Sequence, residues 1–201
     1  EGGFVLALAE KGVGHVTGLD ILPNFYHAEA EARRRGYRVT FVGRGTETIA
    51  DAAYDVVISH DSFEHFDEPE HVLAEMARLT RPGGRILIKF GPPWLNPWGR
   101  HMGGTIRRSR PWIHLIVPER TIMRAHSVYH NEPRLSERYR ELPGGMNKMT
   151  VSRFRRMLER LNGIEIEAFH VFPLYDFRPL VVVPGVREFF ATGVRAVCRK
   201  L

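Results

Sequence analysis

The chain has 201 residues, with 43% hydrophobic and 26% charged side chains, enough for one sizeable core and unlike a fibrous or disordered polymer. Its one cysteine, Cys198, excludes an internal disulfide and a Cys-based zinc cluster, and no apolar run approaches the ~18 residues a membrane-spanning helix needs. Net charge is +6, but Trp94 to Arg160 holds fourteen Arg and Lys against five Glu, so the middle is basic and the remainder slightly acidic.

In chain order, two glycines at Gly2 and Gly3 precede an apolar helix from Phe4 to Glu10. "HVTGLDI" from His15 is a β-branched run ending on an acid, and "PNFYHAEAEARRRG" is a helix closed by Gly36. "YRVTFVG" and "YDVVISH" are strands. "EPEHVLAEMARLTRPGG" is a helix, with Asp67 as its cap, Val72, Leu73, Met76 and Leu79 on one face, and Pro82-Gly83-Gly84 as its stop. "RILIKF" is the next strand. Strands that are nearly apolar throughout and alternate with helices indicate parallel pairing, so the fold class is α/β, a doubly wound, mostly parallel sheet.

Beyond Phe90 the pattern loosens. Trp94 to Met149 reads as an insertion with short helices, and order returns at Thr150, the cap of a helix carrying Val151, Phe154, Met157, Leu158 and Leu161. "IEIEAFHVF" follows as a strand, and "VREFFATGVRAVCRKL" as a short helix and a last strand. One domain spanning residues 1–201, with residues 94–149 as a lid, is the expected organisation.

Parallel doubly wound sheets bind ligands outside the carboxyl ends of their strands. The residues to watch are therefore Glu1, Gly2 and Gly3; Asp20 and Ile21; Gly45 and Thr46; and His60, Asp61 and His65. Glycines before a helix let backbone approach a ligand, and an acid ending a strand can accept hydrogen bonds from two ribose hydroxyls. His126 and His130 share a helix face but lack the Glu of the H-E-x-x-H pattern and a third ligand nearby, so no metal site is expected. Ser62 stands in "HDSFEH", outside any G-x-S-x-G elbow.

The ordered series "EGGFVLALAEKG", "HVTGLD" and "YDVVISHDSFEHFDEPEHVLAEMARLTRPGGRILIKF" resembles the class I S-adenosylmethionine-dependent methyltransferases, closest to the type 11 subgroup, over roughly the first ninety residues. The resemblance implies a Rossmann-like sheet and S-adenosylmethionine as cofactor. It implies that Glu1, Gly2 and Gly3 end the glycine-rich loop and that Asp20 holds the ribose, with Ile21 beside it. Gly45 and Thr46 take the place of an adenine-side acid, His60 and Asp61 line the cofactor pocket, and His65 is the candidate base, a residue equally suited to packing. The family's first strand and the opening of its loop have no counterpart here, so the chain is expected to be a fragment.

The implied function is methyl transfer to a small-molecule or lipid-like acceptor in the cytoplasm, the compartment that suits a lone thiol. Trp112, Ile113, Leu115, Ile116 and Val117 are expected to cover the acceptor pocket, while Arg107, Arg108 and Arg110 face solvent. Two other readings stay open: a nucleic-acid-binding or RNA-modifying module using the basic middle, and a dinucleotide-dependent oxidoreductase on a similar sheet.

Overall fold

The computed structural model of the chain describes residues 2–20, 24–43, 45–101, 110–132, 135–141, 145–175 and 178–201, and its contacts divide into two units, Glu1–Ala50 and Asp51–Leu201. In the first, Gly2 has a left-handed φ of 72° and opens helix α1 (Gly3–Glu10). A Cβ there would stand 2.4 Å from the Ala28 Cβ, so the position needs glycine twice over. Strand β1 (Val16–Asp20), helix α2 (Tyr26–Arg35) and strand β2 (Val39–Gly43) follow, with β1 and β2 paired in parallel. Gly36 ends α2 in the left-handed conformation, as its place after three arginines suggests. The buried face of α2 is Ala28 and Ala32, and the largest ring contact is Phe25 stacked on Phe41 at 4.7 Å.

The second unit is built on a four-stranded sheet. Strands β3 (Tyr54–His60) and β4 (Thr80–Phe90) are parallel, with helix α3 (Pro69–Leu79) between them in sequence. Helices α4 (Ile113–Ile116), α5 (Glu119–Tyr129) and α6 (Val151–Arg160) come next. Strand β5 (Ile164–Pro173), the single turns α7 (Arg178–Val181) and α8 (Arg187–Phe190), and strand β6 (Ala191–Lys200) complete the chain. The order is β3-β4-β6-β5, and both contacts of β6 are antiparallel. Parallel pairing thus holds for β1–β2 and β3–β4, where helices link the strands. β5 and β6 instead return as a long antiparallel pair across two short turns.

Two local expectations at α3 need correction. Its N-cap is Glu68, not Asp67, and the Glu68 side chain makes no capping hydrogen bond; Pro69 at the first helical position lacks an N–H and so removes one donor from the account. The helix also stops at Leu79, ahead of Pro82-Gly83-Gly84, because Thr80 turns extended and its hydroxyl donates to the Met76 carbonyl at 2.7 Å. The Pro-Gly-Gly run lies within β4, at an irregularity in register between the pairs Tyr54↔Thr80 and Val56↔Arg85. A Cβ on Gly84 would meet the Asp55 carbonyl oxygen at 2.7 Å.

The core of this unit is aromatic and aliphatic. Phe154 meets Phe63 at 5.2 Å and Phe90 at 5.1 Å, both edge to face, over Ile86, Ile88, Leu73, Leu158 and the buried Cys198 of β6. Thr150 caps α6 as its sequence position predicts, accepting from the Arg153 amide at 3.1 Å. The buried carboxylate of Glu188 adds what no local pattern shows: it accepts from the Val151 and Ser152 amides at 2.8 and 2.7 Å.

Candidate active site

Asp20 and Gly43 are register partners, so Asp20, Gly45 and Thr46 share the carboxyl end of the β1–β2 pair. The Asp20 side chain is exposed there. Gly45, at φ 88°, reverses the chain into a 3-10 turn, Thr46–Thr48, which the Thr48 hydroxyl secures by donating to the Gly45 carbonyl at 2.8 Å. Gly2 and Gly3 stand at the start of α1. Glu1 and Ile21 lie outside the described residues. A shallow depression of about 260 Å³, lined by Glu29, Arg33, Tyr37 and Thr40 among others, opens beside the beginning of β2, at the opposite end from Asp20.

In the second unit His60 ends β3 and Asp61 follows with a left-handed φ of 49°, a conformation aspartate tolerates better than most residues. Lys89, the register partner of His60 on β4, reaches both: its ammonium stands 3.4 Å from His60 Nε2 and 3.2 Å from Asp61 Oδ2. An ammonium only donates, so His60 Nε2 carries the lone pair and Nδ1–H faces Asp61 Oδ2 at 3.1 Å. All three groups are half exposed, so this network orients side chains more than it stabilises the fold. Sequence reasoning missed Lys89, although one charged residue inside the apolar run "RILIKF" is a signal.

His65 belongs to the 3-10 turn Phe63–His65, which Asn147 holds from across the chain. The Asn147 amide donates to the Glu64 carbonyl at 3.0 Å, and its side-chain nitrogen donates to the carbonyls of Phe63 and Phe66, each at 2.9 Å. His65 Nδ1 lies 3.2 Å from the Gly145 carbonyl, which can only accept, so this nitrogen carries the proton and Nε2 is left with a lone pair. The His101 ring packs edge to face against His65 at 5.4 Å, and its Nε2 donates to the Pro92 carbonyl at 2.9 Å.

Glu64 is 2% exposed; one carboxylate oxygen accepts weakly from the Gly91 amide at 3.3 Å. Burial raises its pKa above the usual carboxylate range, while burial lowers that of His101 below the usual imidazole value. In each, burial works against the charged form. In the sequence Glu64 is picked out only as the partner of His65 in the "EH" pair of the resemblance, and His101 not at all.

The insertion forms a second small core, Ile122, Met123, Tyr139 and Met146 against Trp94 and Val117. His114 is buried and its Nε2 donates to the Trp94 carbonyl at 2.7 Å. Leu115 is 39% exposed and Ile116 80%, because α4 is a single turn that gives its inward face to His114. Arg110 is exposed, while Arg107 and Arg108 lie outside the described residues.

Residues 1–88 match the model of a family described as a methyltransferase domain. This stretch is thus similar to methyltransferase domains. An uncharacterised methyltransferase of Mycobacterium ulcerans is 36% identical over 104 residues, which are 51% of this chain and 40% of the relative, so the chain spans less than half of that protein's length. A structure titled as a putative S-adenosylmethionine-dependent methyltransferase from Listeria monocytogenes superposes with a TM-score of 0.59 at 18% identity, covering 100% of this chain and 86% of its own. The [4+2]-cyclase SpnF superposes with a TM-score of 0.60 at 17% identity, over 99% of this chain and 70% of its own. The chain thus has the α/β fold of these structures, and the similarity to methyltransferase domains implies S-adenosylmethionine as cofactor. The cyclase shows that this fold hosts more than one chemistry.

Proposed function

We propose that the protein transfers the methyl group of S-adenosylmethionine to an oxygen, nitrogen or carbon of a small-molecule or lipid-like acceptor. The observation that carries the reading is the grouping of an exposed carboxylate, Asp20, with the left-handed Gly45 and with Thr46 at one carboxyl strand end, inside the stretch that matches the family. That donor set suits a neutral diol and an aromatic edge, so the residues fit the cofactor in chemical kind. In this reading Asp20 accepts from the ribose hydroxyls, Glu1, Gly2 and Gly3 border the amino-acid tail, and Ile21, Gly45 and Thr46 border the base. His60 and Asp61, held by Lys89, are assigned to cofactor binding, and residues 94–149 to the acceptor.

When bound, the cofactor supplies a methyl already activated by its sulfonium, so the chain's own work is to orient the acceptor, exclude water and remove a proton. His65 Nε2 has the free lone pair for that last task. Calorimetry with S-adenosylmethionine, its demethylated product, NAD and NADP tests the reading. Binding of the first two is expected, with Asp20→Ala weakening it by about 1.5–3 kcal/mol, the scale of charged hydrogen bonds. Equal affinity in parent and variant removes Asp20 from this role, and selective NAD or NADP binding favours an oxidoreductase.

A further inference from the structure

Glu64, His65 and His101 are separated in sequence, yet one potential ligand atom from each lies within 4.8 Å of the other two. The two imidazoles are prepared alike: His65 Nδ1–H is spent on the Gly145 carbonyl and His101 Nε2–H on the Pro92 carbonyl, which leaves a lone pair on the other nitrogen of each ring. A backbone carbonyl fixing the tautomer from behind is the usual support of a metal-bound histidine. The third observation is independent of the rings. Glu64 Oε2 is fully buried and has no hydrogen-bond partner among the described residues, an arrangement that costs stability unless something positive or protic reaches it.

We propose that Glu64, His65 and His101 form a three-ligand site for a divalent transition cation of the zinc class. Two nitrogens and one oxygen suit Zn²⁺, Co²⁺, Ni²⁺ or Fe²⁺ better than Mg²⁺ or Ca²⁺, which prefer all-oxygen shells. A tetrahedral cation at about 2.1 Å from each ligand needs donors about 3.4 Å apart, so the side chains close by roughly an ångström on binding. Three protein ligands leave a coordination position open, where an acceptor oxygen can enter. The Asn147 clamp on the Phe63–His65 turn supplies the rigidity such a site needs. The proposal stands apart from the methyl-transfer reading, but if both hold, His65 Nε2 serves as a ligand and not as the proton acceptor.

Tag-free protein stripped with a chelator is titrated with Zn²⁺ by calorimetry and with Co²⁺ by visible absorption, without cofactor or acceptor. One equivalent per chain is expected, with the stronger absorption of low-coordinate Co²⁺ and much weaker Mg²⁺ binding. Glu64→Gln and His101→Gln should each weaken Zn²⁺ binding at least about tenfold. His126→Ala, which disturbs the separate His126–Glu132 pair, should leave it unchanged. Circular dichroism checks each variant, and if Glu64→Gln fails to fold, His65→Gln and His101→Gln decide the matter. Absence of a saturable equivalent, affinity that survives the ligand variants, or loss in His126→Ala overturns the proposal. S-adenosylmethionine binding measured on the same stripped protein separates this failure from failure of the methyl-transfer reading.

Discussion

The two units differ in what fills them. In Glu1–Ala50 the buried side chains are Ala9, Val16, Phe25, Ala28 and Ala32, set on a two-stranded sheet. Asp51–Leu201 buries Phe63, Phe90, Phe154, Ile86, Ile88, Met149 and Leu158 over four strands. Hydrophobic stabilisation scales with apolar area removed from water, and two strands alone are marginal, so the second unit carries the stability. Residues whose chemistry suits a nucleoside sit on the small unit, and the buried acid and imidazoles sit on the large one. Under the proposed roles, cofactor recognition falls on the lightly packed stretch and the cation ligands on the densely packed one.

The sharpest way to break this comparison is to empty each core in turn. Phe154→Ala should cost about 3–5 kcal/mol in denaturant unfolding, since the ring is fully buried between Phe63 and Phe90. Phe25→Ala should shift the main transition far less, and an equal shift would mean that the two units unfold as one.

Next in size is Glu188→Ala. It should lose about 2–3 kcal/mol, because two amides at the start of α6 lose a buried charged acceptor, and Glu188→Gln should recover part of it. Loss of helix signal confined to the variant, without a lower midpoint, would contradict the role.

Hydrogen exchange reads the same contrast without mutation. Amides of β1–β2 should exchange through a local opening, and those of β4 and β6 only through global unfolding. Matching protection in both sheets would refute the division.

The smallest effect concerns pH. Burial lowers the His114 pKa below the usual imidazole value, so its contribution to stability is present above about pH 6.5 and is lost as pH falls toward the folded-state value. Melting temperatures of parent and His114→Gln should therefore diverge below about pH 6.5, with the variant the flatter of the two.

Much of the fold is legible in the order of amino acids alone. β3 begins and ends where "YDVVISH" does, α2 stops at Gly36, and Thr150 caps α6, because each is written in a short contiguous pattern that one local rule can read. The antiparallel strands β5 and β6 are legible as strands but not in direction, which depends on how the chain returns across α7 and α8. The stop of α3 falls earlier than its pattern suggests because Thr80 leaves the helix before the stronger Pro-Gly-Gly signal arrives. Asp20, Gly45, Thr46, His60, Asp61 and His65 are readable as candidates because strand ends are where such sheets present side chains. Lys89 leaves only the trace of a charge in an apolar run, and Asn147 and His101 leave none, since their importance lies in what faces them: His60, the Phe63–His65 turn and Glu64.

Cys198 stands on β6, in register with Ile86 and Ile166 on either side and 1% exposed, and burial pushes its thiol up to about 11. Such a sulfur is shielded from alkylating reagents and has little thiolate to offer them while the sheet is intact. Because the chain has no other cysteine, a thiol reagent marks it only as the sheet opens around β6, and at reagent concentrations that outpace reclosing the labelling rate is the opening rate. The molecule carries its own clock for opening, readable by mass spectrometry without any added label site.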